Sequence, residues 1–349
     1  MTIQLGTRSI GRGHRPFIIA EMSGNHNQSL ERALAIVDAA ADAGADAIKL
    51  QTYTADTMTI NARHGLFNIE DAASLWKGQS LYQLYQKAHT PWDWHRPIFE
   101  RARERGLIAF SSPFDATAVD FLEELDVPLY KIASFENTDH PLLKKVAATG
   151  KPVIMSTGLT QLSELDESVR LLRQYGCRQL VLLKCTSTYP ASPETSNIQT
   201  IPHLAQLFED TLVGLSDHTL GIGVPVAATA LGASVIEKHF TLRRTDGGVD
   251  SAFSLEPEEL KQLVEESTRA FQALGRVQYG VQTAERSNQR FKRSVYVVRD
   301  IRSGEAFSEA NLRVIRPGDG LAPKYFEGLL GKQAHQDIKA GTPLSWEFL

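Results

Sequence analysis

Eight short apolar runs recur between Phe17 and Phe240, and each carries polar or charged side chains at its far end. Phe17–Ala20 ends in Glu21, Ala47–Leu50 contains Lys49 and ends in Gln51, and Leu107–Phe110 leads to Ser111-Ser112-Pro113. Leu129–Ala133 contains Lys131 and leads to Ser134-Phe135-Glu136, Pro152–Met155 to Ser156-Thr157-Gly158, and Leu180–Lys184 to Cys185-Thr186-Ser187. The last two are Leu212–Leu215, ending in Ser216-Asp217-His218, and Val235–Phe240, which contains Glu237-Lys238-His239. Most runs are followed by a helical pattern. Ser29 is a good N-cap for a helix from Leu30 to about Ala43, and Trp94–Arg105, Ala116–Glu124, Pro141–Ala148, Leu162–Tyr175 and Val224–Leu231 read likewise. Strand alternating with helix implies parallel pairing, because parallel neighbours need a crossover. Eight such units are the count of an α/β TIM (β/α)8 barrel; a doubly wound open sheet is the alternative.

In a barrel of this kind chemistry sits at the C-terminal ends of the strands. The asymmetry of the runs fits that rule, since their starts (Pro16, Ala47, Leu107, Pro128, Pro152, Leu180, Val235) carry no such polar groups. Strand alternation places Lys49 with Gln51, Ser216 with His218, and Glu237 with His239 on one face each. His218 and His239, at one rim, form a candidate site for a divalent cation that polarises a carbonyl. Two lysines and several hydroxyls suit a small, highly charged anion, and Glu21 would act as general acid or base. The residues by themselves imply a metal-assisted barrel enzyme acting on a small phosphorylated or carboxylated substrate.

The 349 residues suffice for a barrel of about 250 residues plus a small module. A net charge of -4 argues against a nucleic-acid binder, and no uninterrupted apolar stretch approaches the ~20 residues that cross a bilayer. Met1–Pro16 lacks the apolar core of a signal peptide, and Cys177 and Cys185 cannot form a disulfide scaffold, so a cytoplasmic protein with reduced thiols is expected. The connection Thr52–Thr90, with Trp76 and several tyrosines, is long enough to be expected over the rim. We expect a catalytic barrel over 1–282, a linker over 283–293 and a β-rich module over 294–349. That module holds a weak repeat, Asp300-Ile301-Arg302-Ser303-Gly304 and Asp337-Ile338-Lys339-Ala340-Gly341.

At the strand ends the chain resembles the sialic acid synthase family. The resemblance lies in Phe17-Ile18-Ile19-Ala20-Glu21 with Asn25-His26, Ile48-Lys49-Leu50-Gln51-Thr52, Tyr130-Lys131-Ile132-Ala133-Ser134, Ser156-Thr157-Gly158, Gly214-Leu215-Ser216-Asp217-His218 and Glu237-Lys238-His239-Phe240. In the tail, Ile315-Arg316-Pro317-Gly318 is similar to the family's antifreeze-like (SAF) domain. The resemblance implies condensation of phosphoenolpyruvate with the open-chain aldehyde of an amino sugar, giving a nine-carbon 2-keto acid and phosphate by C–O cleavage. It implies that Lys49, Ser112, Lys131, Ser134, Ser156, Ser187 and Ser216 hold phosphoenolpyruvate, and that His218 and His239 bind Mn²⁺, Mg²⁺ or another divalent metal. Glu21 would be catalytic, with Glu136 as the second carboxylate on the sugar side, and Gln51, Tyr189 and Asp250 would meet the sugar. It further implies a domain-swapped homodimer in which Arg316 reaches the sugar's N-acetyl group.

Met22-Ser23-Gly24-Asn25-His26, Trp92-Asp93-Trp94-His95, Phe135-Glu136-Asn137 and Lys184-Cys185-Thr186-Ser187-Thr188-Tyr189-Pro190 look more like the pseudaminic acid synthase branch of that family. That branch uses 2,4-diacetamido-2,4,6-trideoxy-L-altrose, for surface polysaccharide or flagellin glycosylation. The alternatives are another N-acetylated hexosamine (neuraminic or legionaminic acid synthesis), a Schiff-base aldolase using Lys49, Lys131, Lys184 or Lys238, and a non-catalytic carbohydrate- or ice-binding protein.

Overall fold

The chain opens with an antiparallel hairpin, β1 (Thr2–Leu5) and β2 (Arg8–Gly11), for which the sequence carried no clear signal. Eight parallel strands follow: β3 (Phe17–Glu21), β4 (Ala47–Thr52), β5 (Ile108–Pro113), β6 (Tyr130–Ile132), β7 (Val153–Ser156), β8 (Leu180–Cys185), β9 (Leu212–Asp217) and β10 (Val235–His239). They pair in sequence order, and β10 returns to β3 with Val235 opposite Phe17 and His239 opposite Glu21, closing the barrel. That closing pair excludes the open-sheet alternative. The computed structural model describes residues 1–71 and 74–349 of the chain.

Alternation along each strand sorts the barrel interior into layers. The lowest layers are apolar: Phe17, Ile19, Ala47, Phe110, Leu129, Ile154, Val181, Leu183, Leu212 and Val235 form one cluster, into which the hairpin inserts Ile3, Leu5 and Ile10. The hairpin therefore plugs the N-terminal end. Two residues further along the same faces come Glu21, Lys49, Ser112, Lys131, Ser156, Cys185, Ser216 and Glu237, all buried. Gly214 fits this packing because a methyl there would come within 2.7 Å of Leu183 Cδ2 and overlap the Val235 carbonyl. The outward faces (Ile18, Ala20, Ile48, Leu50, Tyr130, Ile132, Leu182, Val213, Ile236) join the helices in the larger core.

The surrounding helices are α1 (Leu30–Asp42), α2 (Ala55–Met58), α3 (Leu81–Ala88), α4 (Trp92–Glu104), α5 (Ala116–Glu124), α6 (His140–Ala148), α7 (Leu162–Gln174), α8 (Thr200–Leu207), α9 (Gly223–Ala230) and α10 (Pro257–Leu274). Their starts follow capping chemistry. Ser29 Oγ accepts from Arg32 N at 3.2 Å, Asp115 from Ala118 N at 3.2 Å, and Asp139 from Leu142 N at 3.1 Å. The long connection between β4 and α4 is partly helical, contributing α2 and α3; its residues 72–73 lie outside those described.

The chain divides into two compact units, Met1–Gly275 and Arg276–Leu349. The stretch expected as a linker over 283–293 lies within the second unit, and Thr283–Phe291 forms tight helical turns. The second unit contains β11 (Ser294–Val297) paired antiparallel with β12 (Leu312–Ile315), and the short α11 (Phe326–Leu329). Its core is Val295, Val297, Ile301, Phe307, Leu312, Leu329, Ala334, Ile338 and Leu344. The two copies of the sequence repeat pair with each other. Ile301 and Ile338 exchange backbone hydrogen bonds of 2.8 Å, Lys339 Nζ meets Asp300 at 2.7 Å, and Ser303 N donates to Asp337 at 2.8 Å.

Candidate active site

The charged layer of the barrel is a four-membered chain of buried ions. Lys49 Nζ lies 2.7 Å from Glu21 Oε2 and 3.4 Å from Glu237 Oε1, and Lys131 Nζ lies 3.9 Å from the same Glu237 oxygen. Two cations thus alternate with two anions across β3, β4, β6 and β10, which is how such a site escapes the cost of an uncompensated buried charge. Burial pushes the Glu21 carboxyl up to about 7 against the pull of Lys49. Lys49 itself is held above its ordinary value, because Glu21 and Glu237 outweigh burial. For Lys131 burial prevails and lowers it; for Glu237 burial is outweighed by Lys131 and Lys49, and the carboxyl is held low. Glu237 is the member that reading the sequence left without a role. Its position on a rim strand was visible, but its two lysine partners come from β4 and β6 and no local pattern announces them.

Around these ions the expected hydroxyls assemble. Lys49 donates to Ser112 Oγ at 3.3 Å, Lys131 to Ser156 Oγ at 2.7 Å, and Gly158 N to Ser134 Oγ at 3.2 Å. Ser187 Oγ lies 3.7 Å from Cys185 Sγ, and Ser216 is buried opposite Cys185 on β9. Ser134 and Ser187 converge on Gly158: a methyl there would come within 2.7 Å of Ser134 Oγ and overlap Ser187 Oγ. Gly158→Ala is therefore expected to weaken binding of a small phosphorylated or carboxylated anion about tenfold, or ~1.4 kcal/mol, in a calorimetric titration. Thermal unfolding of the variant should stay close to that of the parent chain.

Next to these hydroxyls, across Cys185, the site is aromatic and holds the histidines. His218 and His239 face each other with ring centroids 5.3 Å apart, and Phe253 lies 4.9 Å from His239 and 6.0 Å from His218. His218 Nδ1 sits 2.9 Å from the Thr186 carbonyl, which can only accept, so Nδ1 carries a proton, and the ring's side-chain hydrogen bond to Cys185 falls to Nε2, the nitrogen that would face a cation. His239 Nδ1 is buried without a hydrogen-bond partner, 3.7 Å from Asp250 Oδ2, and burial holds the ring neutral. At His218 burial is outweighed by the hydrogen bond to Cys185, which holds the ring above its ordinary value, so a divalent cation bound by the two imidazoles would have to displace a proton there. Among the described residues no group of three or more His, Cys, Asp or Glu forms a complete cage, so further ligands would come from substrate or water.

The remaining expected residues of the barrel unit border this space. Gln51 donates to Glu21 Oε1 at 2.8 Å. Glu136, on the turn after β6, has a buried Oε2 without a hydrogen-bond partner; burial pushes its carboxyl up to about 7, with Lys131 pulling the other way. Tyr189 stands 4.5 Å from His218 and 5.4 Å from Phe253, and Asp250 accepts from Ser23 Oγ. Trp76, from the long connection, reaches Tyr189 at 6.0 Å and donates its indole N–H to the Val249 carbonyl at 3.0 Å. Arg316 belongs to the second unit, where it is exposed just beyond β12. Phe253 was not foreseen, because a single apolar residue in a loop carries no periodic signal. Lys238 and Lys184 point out of the barrel: Lys238 is fully buried against Asp217 at 2.9 Å, and Lys184 bonds the Cys185 carbonyl at 2.8 Å. Neither can attack a substrate in the barrel, which removes half of the amines that a Schiff-base reading needs.

Comparison with known proteins gives the chain's relatives. The model of the NeuB family matches residues 36–279 and that of the SAF domain residues 292–349. Pseudaminic acid synthase of Helicobacter pylori is 44% identical, over 95% of this chain and 96% of its own. Pseudaminic acid synthase of Campylobacter jejuni is 46% identical, over 94% of this chain and 95% of its own. Among solved structures, N-acetylneuraminic acid (sialic acid) synthetase from Leptospira borgpetersenii in complex with citrate superposes with a TM-score of 0.73 at 33% identity. That match covers 82% of this chain and 95% of the other.

Proposed function

The chain belongs to the NeuB family and carries a SAF domain, and on that premise we propose that it condenses phosphoenolpyruvate with open-chain 2,4-diacetamido-2,4,6-trideoxy-L-altrose, giving pseudaminic acid and phosphate. The observation that carries this reading is the alternating Glu21–Lys49–Glu237–Lys131 chain, with serines and the histidine pair beside it. Lys49 and Lys131, with Ser112, Ser134, Ser156, Ser187 and Ser216, receive the carboxylate and phosphate. C3 of phosphoenolpyruvate then attacks the aldehyde carbon, and Glu136 gives its proton to the aldehyde oxygen. Water adds to C2 as Glu21 takes its proton, and the tetrahedral centre collapses with cleavage of the C2–O bond, its hydroxyl proton leaving with phosphate. His218 and His239 would hold a divalent cation, Mn²⁺ by preference, which supplies Lewis acidity for the carbonyl.

The acid and base assignments set a pH dependence. Glu21 must be ionised and Glu136 protonated, and burial places both near 7. A narrow bell in kcat/KM centred near pH 7 is expected, falling on the acid side as Glu21 protonates and on the alkaline side as Glu136 ionises. Glu21→Gln should remove the acid limb and Glu136→Gln the alkaline limb, beside large losses of rate.

Offering the enzyme phosphoenolpyruvate with the diacetamido sugar, N-acetylmannosamine and the legionaminic acid precursor, and identifying each nine-carbon product by mass, tests the substrate. Preference for another sugar would move the chain to a neighbouring branch of the family. We further propose a cytoplasmic, domain-swapped homodimer in which each Arg316 serves the other copy's sugar site. Phe135, Leu159 and Leu220 in the connections after the strands and Leu162 at the start of α7, each more than half exposed at the barrel's C-terminal end, support a covering partner. No helix among the described residues is long and apolar enough to cross a membrane.

A further inference from the structure

We infer that Trp76 is a specificity-determining residue that receives the distal, apolar end of the sugar; this rests on the function proposed above. Its ring is the outermost member of an aromatic series, 6.0 Å from Tyr189, which in turn stands 4.5 Å from His218. The aldehyde must lie at the histidine end, beside the anion cradle. An open six-carbon chain extends roughly 6 Å with C–C bonds of about 1.5 Å, enough to pass Tyr189, and the acetamido group on C4 carries its reach onward toward Trp76.

The site continues in that direction. Trp76 lines a cleft of about 490 Å³ whose apolar wall is Leu75, Val249 and Ala252 and whose polar side includes Gln28, Gln79 and Lys87. Val249 and Ala252 bracket Asp250, and Gly24 adjoins Ser23, so the Ser23–Asp250 hydrogen bond stands where the cleft meets the rim. The indole is fixed by its bond to the Val249 carbonyl, so it presents a rigid apolar face rather than a mobile one. Gly24 keeps the cleft wall thin: a methyl there would overlap Val249 and come within 3.0 Å of the Ala88 carbonyl. An apolar face matches the C6 methyl and the acetamido methyl of the diacetamido sugar. A sugar with hydroxyls at C4 and C6 leaves that face poorly used.

The test uses the full-length enzyme with Trp76→Ala and Trp76→Phe. Trp76→Ala should raise the KM for the diacetamido sugar by about ten- to a hundredfold, the scale of one apolar contact. The KM for phosphoenolpyruvate should stay within about twofold, since that end of the site does not touch Trp76. Trp76→Phe should recover most of the loss, and the preference in kcat/KM over N-acetylmannosamine should shrink in the alanine variant alone. A parallel rise in both KM values overturns the inference by showing a general structural role. An unchanged sugar KM overturns it too, while leaving the proposed function intact. An unsubstituted enzyme that makes no product from the diacetamido sugar overturns both.

Discussion

His218→Ala and His239→Ala are each expected to lower metal-dependent release of phosphate by about 10²–10³-fold, the scale of losing one electrophilic stabiliser of a developing alkoxide. The fold should survive, because neither ring belongs to the apolar core: His218 bonds the Thr186 carbonyl and Cys185, and His239 Nδ1 bonds nothing. Mn²⁺ binding, measured by calorimetry or by the spectrum of the ion, should weaken in parallel with turnover. Near-normal turnover in both variants contradicts the assignment of the pair. Loss of turnover with undiminished Mn²⁺ affinity would instead leave the rings with an acid–base or steric task.

The second large effect concerns the buried ions. Lys131→Met leaves the two buried carboxylates Glu21 and Glu237 sharing Lys49, and breaking a buried pair costs about 3–5 kcal/mol. Phosphoenolpyruvate binding should collapse at the same time. Adding Glu237→Gln to that variant removes the uncompensated anion, so the double variant should regain a good part of the lost stability. It should remain inactive, because the cradle still lacks a cation. Denaturant unfolding and phosphoenolpyruvate titration of the two single variants and the double variant close the cycle. Additive losses of stability would mean that Lys131 and Glu237 do not interact.

These variants touch the part of the molecule that was least legible before the fold was known. The strand ends were readable because a parallel strand buried on both faces writes a short apolar run, and the break in that run is where chemistry resides. Glu21, Lys49, Lys131, His218 and His239 were found in this way, and alternation put them on the inward faces. Which ion pairs with which was not readable. Glu237 reaches Lys49 and Lys131 across a closed barrel, and that pairing exists once β10 meets β3. Lys238 shows the converse. It resembles its neighbours in sequence, yet its even position on β10, between Glu237 and His239, turns it outward onto Asp217. The N-terminal hairpin was missed because four-residue strands with mixed polarity carry too little periodicity, although Ile3, Leu5 and Ile10 seal the barrel floor. The tail repeat was visible as sequence, but that its copies bond to each other through Ile301 and Ile338 required the structure.

The central claim is that the Glu21–Lys49–Glu237–Lys131 layer and the histidine pair together join C3 of phosphoenolpyruvate to a sugar aldehyde and then expel phosphate from C2. Phosphoenolpyruvate labelled with ¹⁸O in the bridge between C2 and phosphorus tests it most directly, incubated with the diacetamido sugar and Mn²⁺. The expected result is a nine-carbon 2-keto acid free of label, with all of the ¹⁸O in inorganic phosphate. Label retained in the keto acid, or phosphate released without a new carbon–carbon bond, would contradict the account.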